Sequence, residues 1–286
     1  MSNFGISGFT FCRNAVSLGY PVNESISSIL PIVDEFVVNV GKSTDSTLEE
    51  IQKIGNPKIK IVESVWDENQ KKDARVLQQQ ANIALSHCKY PWAFHLQVDE
   101  VVHEKDLRGL IALMNENLNK KNVLGLMFRF LHFYLDFFTV NPWGFRREVR
   151  IVRNNGEIRS AGDSCGFARK LDGLYLSKNL LGKEVLWTGA RIFHYSSVMN
   201  PDALFKKACS MVSIRKGDLS KKSQETQAHE IIKKLEEKYE IMKEYKGTHP
   251  HVMDSRIRNA QRFKLCKNRW LNWRFFKHVF TYGFKG

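Results

Sequence analysis

The chain has 286 residues, 43% of them hydrophobic, and its 44 Lys and Arg outnumber 30 Asp and Glu to leave a net charge of +14. That is enough apolar material for one large core, or a core with an appendage, and the positive balance calls for an anionic partner: a nucleotide, a phospholipid surface or nucleic acid. No apolar run approaches the roughly 18 residues of a membrane span and the N-terminus lacks a secretory pattern, so a cytoplasmic location is expected.

Gly5-Ile6-Ser7-Gly8-Phe9-Thr10-Phe11-Cys12 reads as a first strand, followed by Arg13-Asn14. Glu24 to Leu30 fits a short helix ending before Pro31. Asp34 to Val40 is a second strand candidate that runs into Gly41-Lys42-Ser43-Thr44-Asp45-Ser46-Thr47. There Gly41 would permit an unusual backbone turn, and Ser or Thr would cap the next helix, Leu48 to Ile54. Lys58 to Val65 alternates Ile and Val with polar residues, a third strand. Asp73 to Cys88 places Val76, Leu77, Ala81, Ala84 and Leu85 at helical period.

The run Trp92-Ala93-Phe94-His95-Leu96-Gln97-Val98-Asp99-Glu100 reads as a buried strand that stops on two adjacent carboxylates. Neighbouring like charges repel, but the carboxyl end of a strand in an α/β sheet is where ligands and metals sit. The plainer alternative is a solvated loop acid after a strand. A helix from about Asp106 to Leu118 follows. This alternation predicts a mainly parallel central sheet with helices on both faces.

The middle third changes character. Val123 to Phe138 and Arg147 to Val152 look like strands, with a tight turn at Asn154-Asn155-Gly156. From Pro201 the chain becomes helical and charged, best seen at Asp202 to Lys216 and Ala228 to Tyr245. The expected division is an α/β domain over residues 1–215 and a helical, basic C-terminal extension over 216–286. From Arg256 onward basic residues interleave with Trp and Phe. This stretch suits a helix lying on anionic lipid, or a terminal helix docked on the body by its aromatic face. Five scattered cysteines (Cys12, Cys88, Cys165, Cys209, Cys266) form no Cys/His cluster. Reduced thiols and no structural zinc are therefore expected.

Taken together these segments resemble the family 2 glycosyltransferases, whose catalytic domain has the GT-A architecture. FTFCRNA looks like the first-strand segment in which that family holds the nucleotide base. DEFVVNVGKSTDST is similar to its second strand and acidic loop, and Gln80-Ala81-Asn82-Ile83-Ala84-Leu85 to the helix before its metal strand. LQVDE falls where the family has an Asp-x-Asp motif, and Ile192-Phe193-His194-Tyr195 looks like a late His of many GT-A enzymes. The resemblance covers about the first 215 residues, more loosely after 120. Two departures remove negative charge: Asn39 stands for the usual first acid of the loop, and Gln97 for the first acid of Asp-x-Asp. A neutral Gln hydrogen-bonds a ribose hydroxyl but holds a divalent cation weakly.

The resemblance implies inverting transfer of a sugar from a nucleotide diphosphate donor, a UDP-sugar, to a hydroxyl of a cell-envelope or polysaccharide acceptor. It implies Phe11, Arg13, Asn39, Asp45, Gln97 and Val98 around the nucleotide, and Asp99 with His194 around Mn²⁺ or Mg²⁺. Asp45 would accept from a uracil imide, or else cap a helix. His194 would complete the metal shell, or else be a packed histidine. Lys206 and Lys207 would neutralise phosphate, or else be solvated. The acceptor hydroxyl needs a carboxylate base, for which Glu148 is the first choice and Asp163 the second; Glu148 has as its alternative an ion pair with neighbouring arginines, and Asp163 a turn acid. The expected partners are a nucleotide sugar and a glycan or lipid-linked acceptor, with peripheral contact to an anionic membrane at the inner face. Without a recognised binding motif, and with acids at strand ends, nucleic acid is not an expected partner. A nucleotidyltransferase would want a Gly-rich loop with a Lys where FCRNA stands. The remaining alternative is a degenerate homologue that binds nucleotide sugar without turnover.

Overall fold

The computed structural model describes residues 4–67, 72–144, 147–163, 166–217, 219–258, 260–262 and 272–283. The first half alternates strands and helices as its periodicity requires. β1 (Ile6–Cys12), α1 (Val22–Ile29), β2 (Glu35–Gly41), α2 (Thr47–Gln52), β3 (Ile59–Ser64), α3 (Arg75–Ser86) and β4 (Trp92–His95) follow one another. Then come β5 (Glu100–Val102), α4 (Leu107–Glu116), β6 (Gly125–His132), β7 (Thr139–Val140) and β8 (Arg147–Arg153). The second half holds β9 (Ile158–Ala161), β10 (Gly166–Arg169), β11 (Val185–His194), α5 (Pro201–Lys216), α6 (Lys221–Tyr239), β12 (Lys243–Glu244), α7 (Asp254–Arg258) and α8 (Trp273–Tyr282).

Eight strands form one mixed sheet in the order β3-β2-β1-β4-β8-β6-β11-β5. β1 pairs in parallel with β2 and β4, β2 with β3, and β6 with β11. β8 is antiparallel to both β4 and β6, and β5 is antiparallel to β11. The α/β class with a mostly parallel, helix-flanked sheet is therefore as the sequence predicts.

Both faces of the central strands are apolar, the pattern of a sheet covered on both sides. Ile6, Phe36, Val38, Trp92, Phe94 and Ile151 pack with Ile26 and Ile29 of α1 and Leu110 and Met114 of α4. On the other face Phe9, Val37, Ala93 and Val152 meet Ala84 and Leu85 of α3 and Phe167 of the β9–β10 hairpin. Arg153 lies 3.8 Å over the Trp92 ring and donates to the carbonyls of Asn117 and Leu118, just past the end of α4. A guanidinium thus ties the turn that follows α4 to β8.

Three boundaries differ from the sequence reading. β4 stops at His95, and residues 96–99 turn so that Glu100 opens a separate strand, β5. β6 ends at His132, because Leu135 takes a left-handed φ of 63° and Asp136 caps a turn by accepting from the Phe138 amide. α6 starts at Lys221 and stops at Tyr239, and residues 243–244 pair with β7 instead. Gly41 also has a different use: its φ is not left-handed. A Cβ there would lie 2.2 Å from Nε1 of Trp66, so what it permits is close approach of an indole.

The described part of the C-terminal stretch packs on the body. Tyr134 donates to the Leu235 carbonyl, Tyr239 donates to Asp136, and Phe275 of α8 is buried with Tyr134, Ile241 and Met242. Residues 263–271 and 284–286 of the basic run lie outside the described residues, as do Arg146, Ser164 and Cys165.

Candidate active site

The carboxyl ends of β1 and β4 open into a cavity of about 1000 Å³, closed on the far side by α5 and by residues of α6. Loops after β1 and β2 build one rim. Asn14, in a left-handed φ of 54° that Asn tolerates, accepts from the Thr44 amide, and Ser43 accepts from the Asn14 amide. Phe11, Arg13, Trp66, Gln97, Val98, Asp99, Asp163, His194, Lys206 and Lys207 all line the cavity, beside Tyr20 and His132.

Of the sequence-predicted residues, Phe11, Arg13, Gln97, Val98, Asp99, His194 and Asp163 are thus brought together. Phe11 lies 6.2 Å from Trp66, whose ring also carries the Arg13 guanidinium at 5.6 Å. Asn39, Asp45 and Glu148 do not line the cavity. Asn39 is fully buried and donates to the backbone and side-chain oxygens of Gln80, tying β2 to α3. Asp45 accepts from the Ser17 amide at 2.7 Å and from the Thr47 amide at 3.1 Å, ahead of α2. Burial would raise its carboxyl, but these bonds and the Thr47 hydroxyl hold it below the usual range. Asp45 thus braces the loop ahead of α2, and the helix cap position itself is Ser46.

The turn after β4 is pinned from both sides. Ser25 of α1 donates to the Gln97 carbonyl, and the Tyr195 amide donates to the Asp99 carbonyl. The two adjacent acids part company within it. Glu100 is fully buried and takes two bonds from Arg150, 2.8 and 2.7 Å, while also accepting from the Gln97 amide. Glu100 is thus committed to the fold, and Asp99 faces the cavity.

Asp99 sits in a chain of polar contacts. Its Oδ1 is 3.5 Å from Nε2 of His194, and its Oδ2 accepts from Nζ of Lys207 at 3.2 Å. His194 Nδ1 is 2.7 Å from Nδ1 of His132, its in-register partner across the parallel β6–β11 pair. Lys207 also donates to the Ser196 carbonyl and stands 4.5 Å over the Tyr20 ring. Burial opposes the charge on Asp99, yet His194 and Lys207 hold its carboxyl well below the usual carboxylate range. For Lys207 burial opposes the ammonium, and Tyr20 and Asp99 outweigh it, raising its pKa.

A divalent cation fits this arrangement poorly. Metal ligands must aim their lone pairs at a common centre. Here the two nitrogens of His194 are turned to His132 and to Asp99, and the second Asp99 oxygen holds an ammonium. Gln97 adds no charge, and no group of three or more His, Cys, Asp or Glu able to hold a metal occurs among the described residues.

The two candidate bases lie near one another but differ in access. Asp163, at the tip of the β9–β10 hairpin, reaches the cavity and pairs with Arg215 of α5 at 3.6 Å. Glu148 is half-buried on β8, its carboxyl near Gly166. Burial pushes that carboxyl up; Arg150 opposes this, and Glu100 and Asp163 add to it. Arg150 forms its ion pair with Glu100, and Arg146, another of the arginines weighed as a partner for Glu148, lies outside the described residues.

Tyr20 and His132 were not foreseen as cavity residues. Neither carries a local sequence signal, because each reaches the site through the pairing of distant segments.

No family model matches the chain, and no curated protein matches it. Among solved structures it is similar to S. aureus TarS, with 15% identity, a TM-score of 0.42 and 80% of this chain aligned to 43% of that one. A TarS 1–349 structure in complex with UDP-GlcNAc aligns at 14% identity and TM-score 0.41, covering 80% of this chain and 71% of that chain. Glucosyl-3-phosphoglycerate synthase from Mycobacterium tuberculosis, in complex with Mn²⁺, UDP and phosphoglyceric acid, aligns at 14% identity and TM-score 0.35 over 57% of this chain and 61% of that chain.

Proposed function

We propose that the protein is a glycosyltransferase that draws a sugar from a nucleotide diphosphate donor, a member of the GT-A type resembling family 2. The observation that carries this reading is the cavity itself. It lies at the carboxyl ends of parallel strands, the position at which α/β sheets bind ligands. Its lining also includes Phe11, Arg13, Gln97, Val98, Asp99 and His194, residues from three separate motifs of the resemblance. Phe11, Trp66 and Arg13 offer flat surfaces for a base, and Gln97 offers an amide to a ribose hydroxyl.

Chemistry in this cavity has two needs. The departing diphosphate gains negative charge, which Arg13, Lys206 and Lys207 of the cavity lining would offset. The acceptor hydroxyl must lose a proton to a carboxylate on the opposite side of the sugar, which inverts the anomeric centre. We assign that base to Asp163, the carboxylate that reaches the cavity, with Glu148 behind it. The acceptor class is a glycan or lipid-linked hydroxyl. A membrane surface is favoured by α8, where Trp273, Phe276 and Phe280 are 66%, 49% and 89% exposed while Phe275 anchors the helix. Among the described residues no helix is long and apolar enough to cross a membrane.

Calorimetric titration with UDP, GDP and dTDP, followed by hydrolysis assays with the matching nucleotide sugars, tests the reading. Binding of one nucleotide and slow release of its sugar are expected, with Asp163→Asn retaining nucleotide affinity and losing transfer. Binding without hydrolysis or transfer across a broad acceptor panel would instead favour a degenerate nucleotide-sugar-binding homologue. Failure of every nucleotide to bind would remove the reading.

A further inference from the structure

We propose that Lys207 takes the place of the divalent cation, so that the donor's diphosphate is held by a fixed internal ammonium and not by a metal. The inference rests on the nucleotide-sugar reading above.

Three observations lead to it. First, the motif at the end of β4 has lost one of its acids to Gln97, so a single carboxylate, Asp99, faces the cavity there. A lone carboxylate is a weak claim on a hard dication, which collects several oxygens. One carboxylate is, however, well matched to one ammonium. Second, that ammonium is already in place. The Lys207 side chain is 14% exposed and that of Asp99 10%, and they meet at 3.2 Å on the cavity wall. The Ser196 carbonyl and the Tyr20 ring complete the seat. Third, the neighbours that would have to ligate a metal are engaged with one another, His194 with His132 and with Asp99. Bringing a dication to Asp99 would place it against the buried ammonium, and like charges at that separation oppose each other strongly where water is scarce.

The placement also explains the helix that carries Lys207. α5 is capped by Asn200, whose side chain accepts from the Ala203 amide, and Pro201 is its first residue, so the helix start is firmly defined. Lys207 lies two turns on, on the face turned to the sheet. Lys206 beside it is exposed and reaches the same cavity. Among the described residues the cavity wall carries four basic side chains, Arg13, Lys206, Lys207 and Arg215, against three carboxylates, Asp67, Asp99 and Asp163. A compact ammonium held by Asp99 differs from a bound metal in one testable respect: it is present whatever the metal content of the solution.

The test is calorimetric binding of UDP, GDP and dTDP to the full chain in excess EDTA and again with Mn²⁺ or Mg²⁺. The expected result is one nucleotide bound equally well, within about threefold, in both conditions. Lys207→Met should then weaken binding by roughly ten- to a hundredfold, the loss of a charge-assisted contact, and added Mn²⁺ should not restore it. Lys207→Arg should keep most of the affinity, and a thermal melt of each variant reports whether it is folded. Binding that appears only with metal would overturn the assignment and leave the donor site standing. A folded Lys207→Met protein binding as tightly as wild type would do the same. No binding of any nucleotide in either condition would remove the donor site and the lysine's role together.

Discussion

Replacing His95 with Met is expected to change how stability depends on pH. His95 is fully buried on β4, stacked 4.8 Å from Phe9 and edge-on to Phe167 at 5.7 Å. Neither ring nitrogen has a hydrogen-bond partner among the described residues. Burial, helped by Arg150, pushes its pKa well below the ordinary 6.5. The sign follows directly: the unfolded chain binds a proton at His95 below about pH 6.5, and the folded chain does not. Stability is therefore full above that pH and falls as the solution is acidified toward the folded pKa. From pH 7 to pH 5 this amounts to roughly 2 kcal/mol, at about 1.36 kcal/mol per pH unit of unmatched proton uptake.

At pH 7 two opposing effects meet in His95→Met. Relieving two unpartnered polar atoms stabilises, by about 1–3 kcal/mol each at most, and lost ring stacking costs about 0.5–1.5 kcal/mol. The difference between pH values is free of both, since neither depends on protonation. Urea unfolding of wild type and variant at the two pH values should show the variant gaining roughly 2 kcal/mol relative to wild type at pH 5. Other histidines titrate alike in both proteins and cancel. A difference that stays constant between pH 7 and pH 5 would show that His95 is hydrated or partnered in the folded protein, and the argument would fail.

Arg150→Met should destabilise the fold by about 3–5 kcal/mol, because it leaves Glu100 buried without its guanidinium. Adding Glu100→Gln should recover part of that loss, and chemical denaturation of the single and double variants measures both. Asp45→Ala should cost about 1–2 kcal/mol by removing the acceptor for the Ser17 and Thr47 amides, read as a lowered thermal midpoint. Trp273→Ser with Phe280→Ser should reduce co-sedimentation with anionic vesicles and leave binding to neutral vesicles weak throughout. Unchanged sedimentation would remove α8 from membrane contact.

The first half of the fold was legible because its signals are local. Apolar runs bounded by Gly, Pro and Asn mark β1 to β4, and the helical period of Val76, Ala81, Ala84 and Leu85 marks α3. The motif residues before and after the turn that follows β4 could be ordered along the chain for the same reason. What those residues do was less legible. Asp99 and Glu100 are neighbours with the same charge, and pattern cannot separate them. Arg150, 50 residues away and brought alongside by the β4–β8 pairing, is what draws Glu100 into the core. The resemblance implied ligand roles for Asn39 and Asp45, but Gln80 on one side and Ser17 with Thr47 on the other use their polar atoms.

By itself, then, the sequence determined the α/β class, the strands whose carboxyl ends carry polar residues, and the excess of positive charge. These depend on composition and short-range periodicity, which each segment carries alone. The tertiary structure decided which polar residues meet. His132 reaches His194 only because β6 and β11 lie in parallel register, and Lys207 reaches Asp99 only because α5 folds back across the end of β4. Such contacts are set by strand pairing and helix packing between segments tens to more than a hundred residues apart. Whether the cavity wall presents a metal ligand or a salt-bridged lysine is a fact of that packing, since a carboxylate's role follows from the charge placed beside it.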